Sequence, residues 1–129
     1  MKIEHIAIWT SNLERLKDFY RLYFEASCGD RYSNPKTGFQ SYFLTFASGA
    51  RLELMSMSSV DESPGDRSKQ YLGLVHISFS FGSEQAVNDL TRRLEQDGFK
   101  IWDGPRWTGD GYYESQVSDP DGNRIEITI

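Results

Sequence analysis

The chain contains two histidines, and each is followed at a similar distance by a glutamate in a similar local sequence. His5 and Glu53 are 48 positions apart (53 − 5), and His76 and Glu126 are 50 positions apart (126 − 76). Two imidazoles and two carboxylates suit a divalent transition metal, and four such ligands leave positions for water or substrate on a six-coordinate ion. We therefore treat these four residues as candidate metal ligands.

A simpler interpretation of the same residues is exposure on a polar sheet face. A single His or Glu on the solvent side of an antiparallel strand commonly has no other role. The metal is favoured because the pair recurs and no histidine lies elsewhere in the chain. Arg51 and Arg124 lie two residues before the glutamates, and for both we prefer a salt-bridging or ligand-supporting role.

The segments around the candidate ligands form an internal repeat. Gly-Ala-Arg-Leu-Glu-Leu at 49–54 returns as Gly-Asn-Arg-Ile-Glu-Ile at 122–127, an offset of 73 (122 − 49). His-Ile-Ala-Ile at 5–8 returns as His-Ile-Ser-Phe at 76–79, an offset of 71 (76 − 5). Self-similarity at a nearly fixed offset is typical of a duplicated structural unit.

The duplication predicts one α+β domain, 1–129, built from two paired βαβββ modules. Module one covers 1–56 and module two covers 74–129. A Ser-rich, charged linker with a turn at Pro64-Gly65 joins them over 57–73.

The predicted elements of the two modules follow the same order. In module one the pattern predicts a strand at 3–10, a helix capped by Ser11 or Asn12, a loop or hairpin turn at 31–40, and strands at 41–46 and 51–55. In module two it predicts a strand at 75–81, a helix capped by Ser83 and stopped at Gly98, and strands at 99–102, 113–118 and 124–129.

Alternation along the strands predicts which way the candidate ligands point. Aliphatic residues occupy the helix-facing side of each strand, so the two histidines and two glutamates occupy the reverse side. If the two modules face each other, these reverse sides form a trough where the four side chains converge. The expected architecture is therefore a half-open sheet around a metal site.

The amino-acid composition limits the kinds of binding partner that this protein can have. A net charge of −5 argues against nucleic acid and against an anionic membrane surface. The lone Cys28 cannot form an internal disulfide, and neither a signal peptide nor a transmembrane stretch is visible. We therefore expect a cytoplasmic protein with a small-molecule substrate.

The sequence resembles the glyoxalase/bleomycin-resistance/extradiol-dioxygenase superfamily, also called vicinal oxygen chelate proteins, over essentially its whole length. The resemblance rests on His5 and Glu53 in their strands, on His76 within Val-His-Ile-Ser-Phe, and on Asp-Pro-Asp-Gly-Asn-Arg-Ile-Glu ending at Glu126. It implies a homodimer, because half-modules in this superfamily commonly pair across subunits.

The order of the ligands narrows the activity that the resemblance implies. Glyoxalase I-like members use His, Glu, His and Glu in this order, which matches His5, Glu53, His76 and Glu126. The resemblance thus implies an isomerase or lyase that uses a divalent ion (Zn, Ni, Co, Mn or Fe). Its substrate would be a hemithioacetal, or another molecule with vicinal oxygens, converted through an enediolate. Glu126 is the first choice for the catalytic base and Glu53 the second.

Other members of the superfamily remain alternatives. An extradiol dioxygenase would need a third histidine, and a non-catalytic binding protein usually lacks the ligands. An epimerase usually carries Gln at one ligand position, whereas a thiol transferase fits the ligands present. Five aromatic residues are candidates to wall a substrate pocket or to pack under a long loop: Trp9, Trp102, Trp107, Tyr112 and Tyr113.

The sequence differs from the glutathione-using members at positions that help to bind the thiol. Those enzymes carry an Arg four residues after the first His, and here that position is Trp9. The stretch Met55–Ser58 also lacks their Asn. We therefore expect weak or absent turnover of a glutathione adduct unless Arg31, Lys36 or Arg106 supplies the missing contact.

Overall fold

A computed structural model of the chain describes residues 1–61 and 65–129. The chain forms two compact units, Met1–Pro64 and Gly65–Ile129. Among the described residues, each unit contains one α-helix and one mixed sheet, as expected for an α+β fold built from a duplicated module. Pro64 of the predicted linker turn lies outside the described residues. No helix in the described ranges is long and apolar enough to cross a membrane.

The first unit forms a sheet in which the first and last strands are parallel neighbours. Its elements are β1 (His5–Trp9), α1 (Leu13–Tyr23), β2 (Ser27–Cys28), β3 (Tyr32–Asn34), β4 (Phe39–Thr45) and β5 (Arg51–Ser56). Strand order is β1-β5-β4-β2, with β3 pairing to β4, and only the β1–β5 pairing is parallel. Of the two predicted caps, Asn12 begins α1, since its side chain accepts a 3.0 Å hydrogen bond from the backbone N–H of Arg15.

The second unit repeats this plan. Its elements are β6 (His76–Ser80), α2 (Glu84–Gln96), β7 (Ile101–Trp107), β8 (Tyr113–Ser118) and β9 (Arg124–Thr128). Strand order is β6-β9-β8-β7, again with one parallel pair, β6 and β9. The predicted cap Ser83 accepts a 3.2 Å hydrogen bond from the N–H of Ala86.

Each helix packs one apolar stripe on one face of its own sheet. The buried stripe of α1 is Leu13, Leu16, Phe19, Tyr20 and Tyr23, and that of α2 is Val87, Leu90, Thr91 and Leu94. The strands contribute Leu52 and Leu54 on β5 and Ile125 and Ile127 on β9 to these cores. All four side chains are nearly or fully inaccessible to solvent. Burying each such aliphatic side chain contributes about 1.5–3 kcal/mol. Glu53 and Glu126 lie between these residues and so face the other way.

The segment 31–40 is a hairpin, one of the two predicted possibilities, in which β3 pairs antiparallel with the start of β4. The strand predicted at 99–102 differs from the prediction, since it spans Ile101–Trp107 and continues through Gly104-Pro105. Register shifts on both sides of Asp103 accommodate this dipeptide, because a bulged strand tolerates residues that interrupt a regular ladder.

Gly104 is required by close packing against β8. A Cβ added there would lie 2.4 Å from the carbonyl oxygen of Glu114 and 2.9 Å from Cα of Ser115, and the φ angle of Gly104 is +78°. We expect Gly104→Ala to lower the free energy of unfolding by about 1–3 kcal/mol, measured by urea denaturation, because backbone atoms must move. Gly109→Ala is the matched control, since a Cβ there meets nothing within 4 Å. Equal urea midpoints for the two variants would contradict the packing argument.

Candidate metal centre

The first unit brings His5 and Glu53 together on the sheet face opposite α1. β1 and β5 run parallel, with His5 in register with Arg51 and Ala7 in register with Glu53. Nε2 of His5 lies 3.8 Å from Oε2 of Glu53. The Glu53 side chain is 14% exposed, so this carboxylate is largely shielded while still accessible.

The second unit repeats the pair with His76 and Glu126. Nε2 of His76 lies 3.5 Å from Oε2 of Glu126, whose side chain is also 14% exposed. Ser78 is in register with Glu126, and its hydroxyl donates a 2.8 Å hydrogen bond to Oε1. Both pairs therefore lie on the sheet face that the alternation in the sequence indicates, and their role as metal ligands stays a prediction.

The donor atoms of each pair fit neighbouring positions around one divalent ion. Ligand atoms about 2.1 Å from an ion lie roughly 3.0–3.4 Å apart at octahedral or tetrahedral angles. The observed separations of 3.8 and 3.5 Å are only slightly longer, a difference that small side-chain rotations remove. Imidazole and carboxylate are also a common ligand combination for such metals.

One pair alone supplies too few ligands for a metal enzyme. Catalytic zinc sites, for example, use three protein ligands. Within 1–61 and 65–129, no group of three or more His, Cys, Asp or Glu side chains is arranged to hold an ion. The four predicted ligands are therefore present as two pairs, one in each unit, and the joint four-ligand centre stays a prediction.

His5 has a further polar partner that sequence reasoning missed. The Glu4 carboxylate accepts a hydrogen bond from Nδ1 of His5 and also pairs with the Arg51 guanidinium, whose Nε donates to Oε1 at 2.8 Å. These two contacts, His5 first, hold the pKa of Glu4 below its usual value. The salt-bridging role predicted for Arg51 is thereby confirmed.

The surroundings of His76 differ from those of His5. Nδ1 of His76 is buried and has no hydrogen-bond partner among the described residues. Arg124, the counterpart of Arg51, donates a 3.3 Å hydrogen bond to the carbonyl of Ser68 and lies 4.1 Å above the Trp102 ring. The two halves of the repeat thus have equivalent candidate ligands, but the polar contacts of the histidines and of the two arginines differ.

A cavity of about 410 Å³ opens beside Glu126 in the second unit. Hydroxyl and carboxylate groups dominate its lining, which consists of Ser78, Thr108, Asp110, Tyr112, Glu114, Glu126 and Thr128. Burial and the neighbouring Glu126 carboxylate raise the pKa of Glu114. Sequence reasoning missed Glu114, although it alternates with the buried Ser115 and Val117 on β8 and so faces the same side as the ligands.

The aromatic candidates divide between the cavity and the framework. Tyr112 lines the cavity. Trp102 donates from Nε1 to the Ser118 hydroxyl at 2.7 Å, and the Tyr113 hydroxyl donates to the Asn88 side chain at 2.8 Å. Packing therefore accounts for Trp102 and Tyr113, whereas Tyr112 is placed to contact a ligand.

Asp119 organises the turn before β9. Its carboxylate accepts hydrogen bonds from the backbone N–H groups of Asp121 and Asn123 at 2.9 and 2.8 Å. Burial raises the pKa of Asp119 above the usual value. This turn fixes where β9 begins, and hence which face Glu126 occupies.

Comparison with known proteins agrees with the fold. The family model of the Glyoxalase/Bleomycin resistance protein/Dioxygenase superfamily matches residues 2–127. The chain therefore belongs to this superfamily. A comparison with curated proteins finds no match.

Several solved structures share the architecture. A possible glyoxalase from Bacillus cereus is 25% identical with a TM-score of 0.72, and the alignment covers 100% of this chain and 99% of that one. The trypanothione-dependent glyoxalase I of Leishmania major is 21% identical with a TM-score of 0.77, covering 99% and 86% of the two chains. A glyoxalase/bleomycin resistance protein/dioxygenase domain from Frankia sp. EAN1pec reaches a TM-score of 0.81 at 17% identity, covering 100% and 97%. At the lower identities the likeness concerns the fold alone.

Proposed function

We propose that this protein is a glyoxalase I-like metalloenzyme, an isomerase or lyase that converts a hemithioacetal or another substrate with vicinal oxygens through an enediolate. The observation that carries the proposal is the duplicated His–Glu pair, found at equivalent positions of both sheets with donor separations of 3.8 and 3.5 Å. Membership of the superfamily supports the proposal. The order His, Glu, His, Glu also resembles the ligand order of glyoxalase I-like members.

In this proposal the ligands are Nε2 of His5 and His76 and the carboxylates of Glu53 and Glu126. These residues would hold a divalent ion (Zn, Ni, Co, Mn or Fe), which would supply polarisation of the substrate carbonyl and stabilisation of negative charge on its oxygen. The protein itself has to place the substrate beside a base and shield both from bulk water.

Glu126 is the proposed base. It removes the proton from the carbon next to the carbonyl and returns it to the former carbonyl carbon. The hydroxyl proton of the substrate moves to the former carbonyl oxygen, so the reaction is an isomerisation with no net gain or loss of atoms. The 2.8 Å hydrogen bond from Ser78 fixes one of its oxygens, and the cavity of about 410 Å³ gives substrate access to the carboxylate. Glu53 is the second choice, because the repeat makes the two glutamates nearly equivalent.

The direct test of the activity is a panel of methylglyoxal adducts with different thiols. We expect weak or absent turnover of the glutathione adduct, because Trp9, 43% exposed, offers no charge to a carboxylate. Removing one partner of such a charged contact costs roughly 2–5 kcal/mol, which corresponds to at least a 10-fold loss. Arg31 already pairs with Glu14, and Arg106 with Asp103.

Trp9→Arg should improve turnover of the glutathione adduct, while Trp9→Phe should leave it unchanged. Efficient wild-type turnover of that adduct, with a micromolar Michaelis constant, would show that Trp9 does not determine the thiol. A protein that binds metal yet isomerises no thiol adduct would instead favour another activity of the superfamily, or a non-catalytic binding role.

We also propose that the working particle is a cytoplasmic homodimer in which the two pairs of one site come from different chains. Mixing a His5→Ala chain with a His76→Ala chain should then restore metal binding at about a quarter of the sites, since one of the two sites in each mixed dimer receives both intact modules. Each variant alone is the control. A monomer by light scattering that binds metal would contradict the shared site.

A further inference from the structure

The side chain of Glu4 links His5 to Arg51, and nothing in the proposed reaction uses it. We infer that Glu4 is a positioning residue that keeps the His5 ring proton on Nδ1 and so presents an unprotonated Nε2 to the metal. The inference rests on the proposed metal centre and extends it to a residue that is itself no ligand.

Glu4 is held from two sides. One carboxylate oxygen, Oε2, accepts the hydrogen bond from Nδ1 of His5. The other, Oε1, accepts from Nε of Arg51 at 2.8 Å and pairs with a terminal guanidinium nitrogen at 2.5 Å. The backbone N–H of Arg51 also donates to the carbonyl of Glu4 at 3.0 Å, which ties the start of β1 to β5.

Phe43 completes the support of the His5 ring. The Arg51 guanidinium carbon lies 4.1 Å from the Phe43 ring centroid, and the His5 ring meets the same phenyl group nearly edge-on, with centroids 5.5 Å apart. The plane of the imidazole is therefore restrained by packing, while its Nδ1 is restrained by Glu4.

The other ring nitrogen of His5, Nε2, faces Glu53 of the candidate metal pair. Nε2 lies 3.8 Å from the Glu53 carboxylate, too far for a hydrogen bond, whereas Nδ1 is hydrogen-bonded to Glu4. A neutral imidazole with its proton on Nδ1 keeps the Nε2 lone pair available for a cation.

His76 provides the internal comparison. Val75 occupies the position equivalent to Glu4, and Nδ1 of His76 is buried with no hydrogen-bond partner in the described parts of the chain. The duplicated modules have therefore kept the ligand but not its carboxylate support. We expect the two histidines to differ in tautomer.

If Glu4 had a purely structural role, its removal would lower the melting temperature of the protein. Its side chain and that of Arg51 are 54% and 40% exposed, and ion pairs this exposed contribute little to stability. A change in tautomer or in metal affinity without a change in melting temperature thus separates positioning from packing.

The experiment uses Glu4→Ala, with Glu14→Ala as the matched control. Glu14 is another exposed carboxylate of the first unit that pairs with a cation, Lys17, but lies on α1. The His5 tautomer is read from ¹⁵N chemical shifts of full-length protein without added metal at about pH 8.5, where an ordinary imidazole is neutral. Zn²⁺ affinity is then measured by competition with a chelating dye, and melting temperature by circular dichroism.

We expect the wild type and Glu14→Ala to carry the His5 proton on Nδ1, and Glu4→Ala to shift it toward Nε2 while the His76 signals stay unchanged. Zn²⁺ affinity should fall about 10- to 100-fold in Glu4→Ala alone. An unchanged His5 tautomer in Glu4→Ala would overturn the inference, as would unchanged Zn²⁺ affinity in a wild type that binds zinc. The tautomer is read without metal, so its result does not depend on whether the protein binds zinc. Failure of the proposed metal function can therefore be distinguished from failure of the inference about Glu4.

Discussion

Glu126→Gln is expected to lower the turnover number by roughly 10²- to 10⁴-fold, the range typical for loss of a positioned general base. The amide keeps an oxygen donor of the same size but cannot take up a proton. Ser78 still has an oxygen to donate to, so the strand and the adjoining cavity should keep their geometry. The measurement is a steady-state assay with the best thiol adduct from the panel, together with metal content.

Glu53→Gln is the matched control for this substitution. Glu53 has the same 14% side-chain exposure and the same relation to its histidine, but it belongs to the first unit. If Glu126 is the base, Glu53→Gln should reduce turnover less than Glu126→Gln at equal metal occupancy. The reverse order would assign proton transfer to Glu53.

The second large effect is expected from the histidines. His5→Ala and His76→Ala should each weaken binding of a divalent ion by roughly 100-fold or more, since even residues that only support a ligand are worth 10- to 100-fold. Gln116→Ala is the control, because Gln116 is the polar residue in register with Glu126 on the neighbouring strand. Full metal occupancy in either histidine variant would remove that residue from the site.

The parts of the fold that could be predicted from the sequence are those set by the local spacing of apolar and polar residues. The stripe of α1, its cap Asn12, and the alternation that turns Glu53 and Glu126 away from the helices all follow from neighbours within a few positions. The repeat strengthened each assignment, because the same pattern had to hold twice.

What could not be predicted depends on partners that are distant in the sequence. Glu4 looks like an ordinary charge until β5 brings Arg51 beside it from 47 positions away (51 − 4). Strand β7 runs through Gly104-Pro105 only because β8 pairs with it around a register shift. The cavity beside Glu126 likewise combines side chains from β6, β8, β9 and the loop after β7.

The central claim is that both His–Glu pairs bind one ion together, and X-ray absorption of the cobalt-loaded protein tests it most directly. The spectrum counts imidazole ligands, and metal analysis gives the stoichiometry. We expect one Co²⁺ per chain with two imidazoles in the wild type and one imidazole in any ion retained by His5→Ala or His76→Ala. Two ions per chain, each with a single imidazole, would show that the pairs act separately and would contradict the account.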